Sequence, residues 1–161
     1  MSEPFDPPGE PWVRVSPKLA TLRRLLLLLF GVPAAVAVGV LTGLWQAWLG
    51  VLVAVLGLAL VGWGWVVVGR AVRSWGYAER VDDLLVTRGI LNRQLVVVPY
   101  GRMQYVDVTA GPLDRRFGLA TVQLHTAAAA TDAQIPGLVP AEAARLRDRL
   151  AARGEASTAG L

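Results

Sequence analysis

The sequence predicts a two-helix transmembrane hairpin followed by a small, mainly β domain that ends in an α-helix. Three observations carry that prediction. Residues 25–69 hold no charged side chain. Residues 77–126 break into short β-branched or alternating runs punctuated by Gly, Asp and Pro. Residues 140–153 place apolar side chains three and four apart behind an opening proline.

At 1.5 Å rise per residue, the uncharged block is too long for one ordinary span and suits two folded as a hairpin. Its break falls at Thr42, Gly43, Leu44, Trp45 and Gln46, a mixture suited to leaving the lipid interface and returning to it. Arg14, Lys18, Arg23 and Arg24 precede the first span, Arg70, Arg73 and Arg80 follow the second, and the turn has no basic residue. The positive-inside rule then expects both termini and the β domain in the cytoplasm, at a cell membrane crossed twice. A twin-arginine leader is the rival reading of Arg23-Arg24, but the apolar run is far longer than a leader core and continues into a second span.

Ala35, Gly39 and Gly43 recur every fourth residue in span one. They form a small face for close helix packing, either within the hairpin or in a dimer, although Gly and Ala are also common in spans without such a role. Pro33 is expected to bend this span. Neither span contains Asp, Glu, Lys, Arg or His, which argues against a proton relay or ion path in this chain alone. The tryptophans near the cytoplasmic end of span two, Trp63 and Trp65 with Trp75 shortly beyond, read as interface anchors.

Residues 1–17 hold five of the ten prolines with mixed charges and few aliphatics, and read as a flexible tail. The hairpin is expected over 18–73, with Ser16 and Pro17 opening its first helix. A β domain with its helix is expected over 74–153, and a frayed tail over 154–161. Within the β domain, 77–81 and 84–87 read as strands joined at Asp82-Asp83. Residues 93–99 (RQLVVVP) form a third, with a valine run that suggests burial on both faces or packing against something else. In 103–109, Met103, Tyr105 and Asp107 share one face against Gln104, Val106 and Val108. Residues 113–118 read as a connecting turn. In 120–126, Val122 and Leu124 oppose Thr121, Gln123 and His125. Ala127 to Ala130 read as a loop, and 133–138 as a short edge at best, because Pro136 cannot donate to a ladder. Ala143, Leu146, Leu150 and Arg153 form the packing stripe of the last helix, which Gly154 is expected to stop. Six or seven strands closed by such a helix make a small curled sheet or barrel.

Composition narrows the chemistry. The absence of cysteine excludes disulfides, thiolate metal sites and a cysteine nucleophile, and one histidine cannot build a His-based metal cluster. A net charge of +4 without long basic runs suits an anionic membrane surface better than nucleic acid. No cofactor, metal or catalytic set is expected. His125 lacks an identifiable nucleophile and orienting acid nearby in sequence. Asp82-Asp83 is more simply a turn than a carboxylate pair, and the glycines of span two lack the Lys-Ser/Thr of a phosphate loop.

Residues 79–126 resemble the bacterial pleckstrin-homology-like membrane proteins of the YdbS-like, or DUF304, type. The resemblance rests on Arg88-Gly89 before Leu91 and on Pro99 followed by Arg102-Met103-Gln104-Tyr105-Val106. It also rests on Leu113 with Arg115-Arg116-Phe117-Gly118-Leu119-Ala120-Thr121-Val122. Met103 and, more so, Tyr105 depart from the usual pattern. The resemblance implies a PH-like split barrel of two sheets with a C-terminal helix beside the cytoplasmic leaflet, and no known reaction; lipid specificity does not transfer with a fold. The expected partners are the lipid bilayer and another membrane protein or a second copy, with an anionic lipid as an alternative. Arg88, Arg93, Arg102, Arg115 and Arg116 are the candidate membrane-facing basic surface. The competing expectation is that they are solvated charges, several of them paired with Asp82, Asp83, Asp107 or Asp114.

Overall fold

The computed structural model describes residues 11–90, 92–127 and 132–159. It contains two compact units. One is the stretch Ala20–Arg70; the other is built from both sides of it, Met1–Leu19 with Ala71–Leu161.

The first unit is the hairpin. Helix α1 (Lys18–Gly43) and helix α2 (Ala47–Ser74) have 26 and 28 residues, so each is long and apolar enough to cross a membrane. Helix α1 runs through Pro33 without interruption. At its end the Thr42 hydroxyl donates to the carbonyls of Val38 and Gly39, and the turn at Leu44-Trp45-Gln46 follows. Only 6% of the most apolar window of α1 and none of that of α2 is buried within the chain. So much outward apolar surface, with Phe30, Trp45, Trp48 and Trp63 exposed, is stable against lipid and not against water.

The helices touch through small residues. A Cβ on Gly39 would lie 2.6 Å from Ala54 Cβ, one on Gly50 would lie 2.4 Å from Gly43 Cα, and one on Gly57 would lie 2.7 Å from Ala35 Cβ. Any larger side chain would force the backbones apart.

The second unit has seven strands and two helices among the described residues. Strands β1 (Val13–Arg14), β2 (Gly76–Glu79), β3 (Asp83–Arg88) and β4 (Gln94–Pro99) form one antiparallel sheet in that order. Strands β5 (Met103–Thr109), β6 (Ala120–Thr126) and β7 (Ala133–Leu138) form the other. Helix α3 (Pro112–Phe117) joins β5 to β6, and helix α4 (Pro140–Ala159) ends the chain. This is a PH-like split barrel with its C-terminal helix. Tyr77, Leu84, Leu85, Val98, Val122 and Leu124 supply much of the core, and α4 adds Ala143, Leu146 and Leu150.

Several expectations change. The expected tail is partly built in: Val13 and Arg14 pair with Tyr77 and Gly76, Val15 is buried, and the Ser16 N–H donates to the Gly137 carbonyl at 2.8 Å. Hydrogen bonds and a buried valine outweigh the composition of 11–17; residues 1–10 lie outside the description. The hairpin is therefore inserted between two hydrogen-bonded strands, and the β unit is discontinuous in sequence. Strand β2 stops at Glu79, two residues early, because the Arg80 N–H turns to the Asp83 carbonyl.

Residues 113–118 contain a helical turn where a connection was expected. Gly111 precedes Pro112, whose missing N–H costs nothing at a helix start. Strand β7 is a full six residues because it lies at a sheet edge, where Pro136 interrupts no second ladder. Gly137 sits there at φ +74, with Leu19 against the place a Cβ would occupy.

Gly154 does not stop α4, which continues to Ala159. Gly154 does not take the positive φ of a left-handed cap. Within a helix a glycine costs only about 1 kcal/mol relative to alanine, and Ala151, Ala152, Glu155 and Ala156 carry the helix through. The loop expected at 127–130 lies outside the described residues beyond Ala127.

In β4, only Val98 of the valine run is fully buried, while Val96 is half-buried and Val97 exposed. That sheet therefore covers the core with one face, and the expectation of burial on both faces does not hold.

Candidate functional site

The five arginines of the candidate basic surface occupy three places. Arg88 ends β3 and Arg93 precedes β4, so both flank the β3–β4 turn. Arg102 lies in the short turn Tyr100–Arg102 at the opposite end of β4. About 20 Å of strand separates that end from Arg93. Arg115 and Arg116 are neighbours on α3.

Their environments differ as well. The Arg88 Nε donates to Gln94 Oε1 at 3.0 Å, whereas Arg93, Arg102, Arg115 and Arg116 are exposed. The aspartates expected to neutralise them are partly committed elsewhere. Asp107 Oδ1 accepts the Val108 N–H at 2.8 Å, and Asp114 Oδ2 accepts the Gly111 N–H at 3.1 Å. Among the described residues, Arg115 and Arg116 make no side-chain ion pair or hydrogen bond. A short Asp side chain satisfies the nearest backbone donor more readily than it reaches along a strand, so the expected pairing with Asp107 and Asp114 does not occur.

The small face of span one is placed inside the hairpin. Ala35 faces Gly57, Gly39 faces Ala54 and Gly50, and Gly43 faces Gly50. Just outside the uncharged block, Arg24 crosses to α2, donating to the Trp65 carbonyl at 3.2 Å with its guanidinium 4.8 Å from the Trp65 ring. The cation–π contact and hydrogen bond hold the charged end of α1 against its neighbour.

A second region was not read from the sequence. Among the described residues, strand β5 is the edge of its sheet, paired with β6 alone. Its register shifts between Met103 and Tyr105, so the expected single alternation holds only from Tyr105 onward. Val106 and Val108 then turn inward, Tyr105 and Asp107 turn outward, and Met103 is half-buried out of phase. A bulge is the one device that changes which face a strand shows without ending it.

Beside this edge, a groove of about 660 Å³ runs between β5 and α4, lined by Met103, Tyr105, Val106, Leu150, Ala151 and Glu155 among others. The Val108 N–H donates to Asp107 Oδ1 at 2.8 Å.

His125 also has company that the sequence concealed. Its ring stacks on Tyr105, with centroids 4.4 Å apart, and its Nδ1 lies 3.3 Å from Asp132 Oδ2. Asp132 Oδ1 accepts the Thr126 N–H at 2.8 Å. That backbone bond is the chief reason the Asp132 carboxyl is held below the ordinary aspartate value, with the His125 imidazole adding to it. The Thr126 hydroxyl lies 3.4 Å from Asp132 Oδ1. The cluster ties the two ends of the β6–β7 connection. Among the described residues no group of three His, Cys, Asp or Glu side chains could hold a metal.

No solved structure matches the chain. Among curated proteins, the UPF0699 transmembrane protein YdbS of Bacillus subtilis (strain 168) is 36% identical over 107 residues, which is 66% of this chain and 66% of that protein. The chain thus spans just under two thirds of that relative's length. The family model described as "Bacterial PH domain" matches residues 25–154, which run from within α1 through α2 and strands β2 to β7 into most of α4. With two outward apolar helices and a split barrel already in place, that match settles the family: the chain is a membrane protein of the bacterial PH-domain family.

Proposed function

We propose that the chain is a non-enzymatic, membrane-anchored interaction module whose PH-like unit docks a partner membrane protein at the cytoplasmic face. The observation that carries this reading is the open outer edge of β5 beside the groove against α4. An extended segment of a partner can add a strand there, with backbone bonds supplying affinity and the groove supplying side-chain selection. The basic residues on both flanks of the hairpin, with none in its turn, support cytoplasmic termini.

The test is affinity isolation of the full-length protein from membranes in mild detergent, beside a variant carrying Gln104→Lys and Tyr105→Lys on the exposed edge. A stoichiometric partner recovered with the native chain and lost from the variant is expected. Recovery of the native chain without a partner would overturn the docking reading.

A second reading, an anionic-lipid-binding module, is favoured by the exposure of Arg93, Arg102, Arg115 and Arg116.

A further inference from the structure

We infer that α3 is the lipid-touching element of the β unit, with Arg115 and Arg116 engaging the phosphates of an anionic bilayer and Leu113, on the face it shares with Arg116, entering the acyl boundary below them. This deepens the lipid-surface reading above and rests on it.

Of the three places that hold the candidate arginines, α3 alone carries two consecutive exposed arginines together with a large exposed apolar side chain: Leu113 is 46% exposed. Leu113 and Arg116 are three apart on one helical turn and so share a face. The local charge is Arg115 plus Arg116 less Asp114, a net +1, and Asp114 is turned back to cap Gly111.

The turn is also pre-formed. The Arg115 N–H donates to the Gly111 carbonyl at 2.9 Å, the Gly118 N–H to Arg115 at 3.1 Å and the Leu119 N–H to Asp114 at 2.8 Å, while Leu119 is anchored in the core. Little ordering remains to oppose binding. Guanidinium groups suit phosphate oxygens by planar, bidentate geometry, and a flanking leucine suits the boundary below them. The covalent links to the spans are short: only Trp75 separates α2 from β2, and only Val15, Ser16 and Pro17 separate β1 from α1.

The chain has no cysteine, so single thiols report single positions. Full-length protein carrying Leu113→Cys, or Gly101→Cys beside Arg102, is labelled with a polarity-sensitive dye and placed in nanodiscs of phosphatidylcholine alone or mixed with phosphatidylglycerol. The Leu113 position is expected to become apolar and protected from an aqueous quencher only in the anionic discs. Arg115→Gln and Arg116→Gln are each expected to reduce the protected population about fivefold, and raised salt to reverse it. Both arginines are exposed and, among the described residues, unpaired, so these changes leave the fold intact, which the unchanged signal at position 101 checks. A response at position 101 without one at 113 would overturn the assignment to α3 and keep the lipid reading. No difference between neutral and anionic discs at either position would overturn both. Protection of position 113 that persists in the double Gln variant would assign the contact to apolar burial and overturn the role of the arginines.

Discussion

Tyr77 is fully buried on β2 and its hydroxyl donates to Glu142 Oε1 on α4 at 3.0 Å, so one side chain fastens the terminal helix to the first sheet. Burial, reinforced by that carboxylate, pushes the phenol upward and keeps it a proton donor. The Arg145 guanidinium bonded to Glu142 holds its carboxyl below the ordinary value near 4.5, and the Tyr77 hydroxyl contributes to the lowering. A carboxyl depressed in the folded state adds stability that is complete above its unfolded value and is lost as pH falls through its folded one. Tyr77→Phe should therefore cost about 1 kcal/mol, a few degrees of thermal midpoint in detergent. The gap between the native chain and Glu142→Gln should narrow as the buffer is taken from about pH 7 to about pH 3. A gap that stays constant over that range would remove Glu142 from the account. The sequence placed Glu142 in the first turn of its helix, but nothing in residue spacing linked it to Tyr77, which is 65 positions away.

At the scale of elements, the paired helices make a prediction that separates an intramolecular seam from a dimer seam. Leu27→Cys with Gly64→Cys, introduced into a chain without cysteine, should give on oxidation a cross-linked monomer that runs faster on a non-reducing gel, since the Leu27 side chain lies against the place a Gly64 Cβ would occupy across the hairpin. Cross-linking only between chains would refute that placement. The spans themselves were legible because lipid imposes a blunt requirement, a long stretch without charge, and sequence displays it directly. The strand over 103–109 was legible as a strand but not in its facing. One bulge between Met103 and Tyr105 transfers side chains between faces, and bulges leave no dependable mark in composition. The terminal helix was read correctly in its stripe, where Ala143, Leu146 and Leu150 are all buried. Its end was misread, because a glycine stops a helix only when its backbone turns left-handed.

For the whole molecule, the chief consequence is the insertion of the hairpin between β1 and β2. Residues 74–159 alone lack β1 and the buried Val15, whose burial is worth about 1.5–3 kcal/mol. A soluble chain joining residues 11–17 to residue 74 through a Gly-Ser linker, with the hairpin left out, should therefore unfold at a higher urea concentration than 74–159 by itself. Equal midpoints would mean that β1 adds nothing to the unit. Sequence alone determined the two spans, their small-residue face, the β character of 76–138, the amphipathic last helix and, through motifs in 79–126, the family. Each of these is written in local composition or in a period of two or 3.6 residues. Tertiary structure alone decided that a proline-rich leader supplies a strand, that five arginines fall in three places, that Asp132 reaches His125, and that β5 leaves an open edge beside α4. Those outcomes depend on which distant segments meet, and hydrogen bonds and packing between residues far apart in sequence have no periodic signature to read.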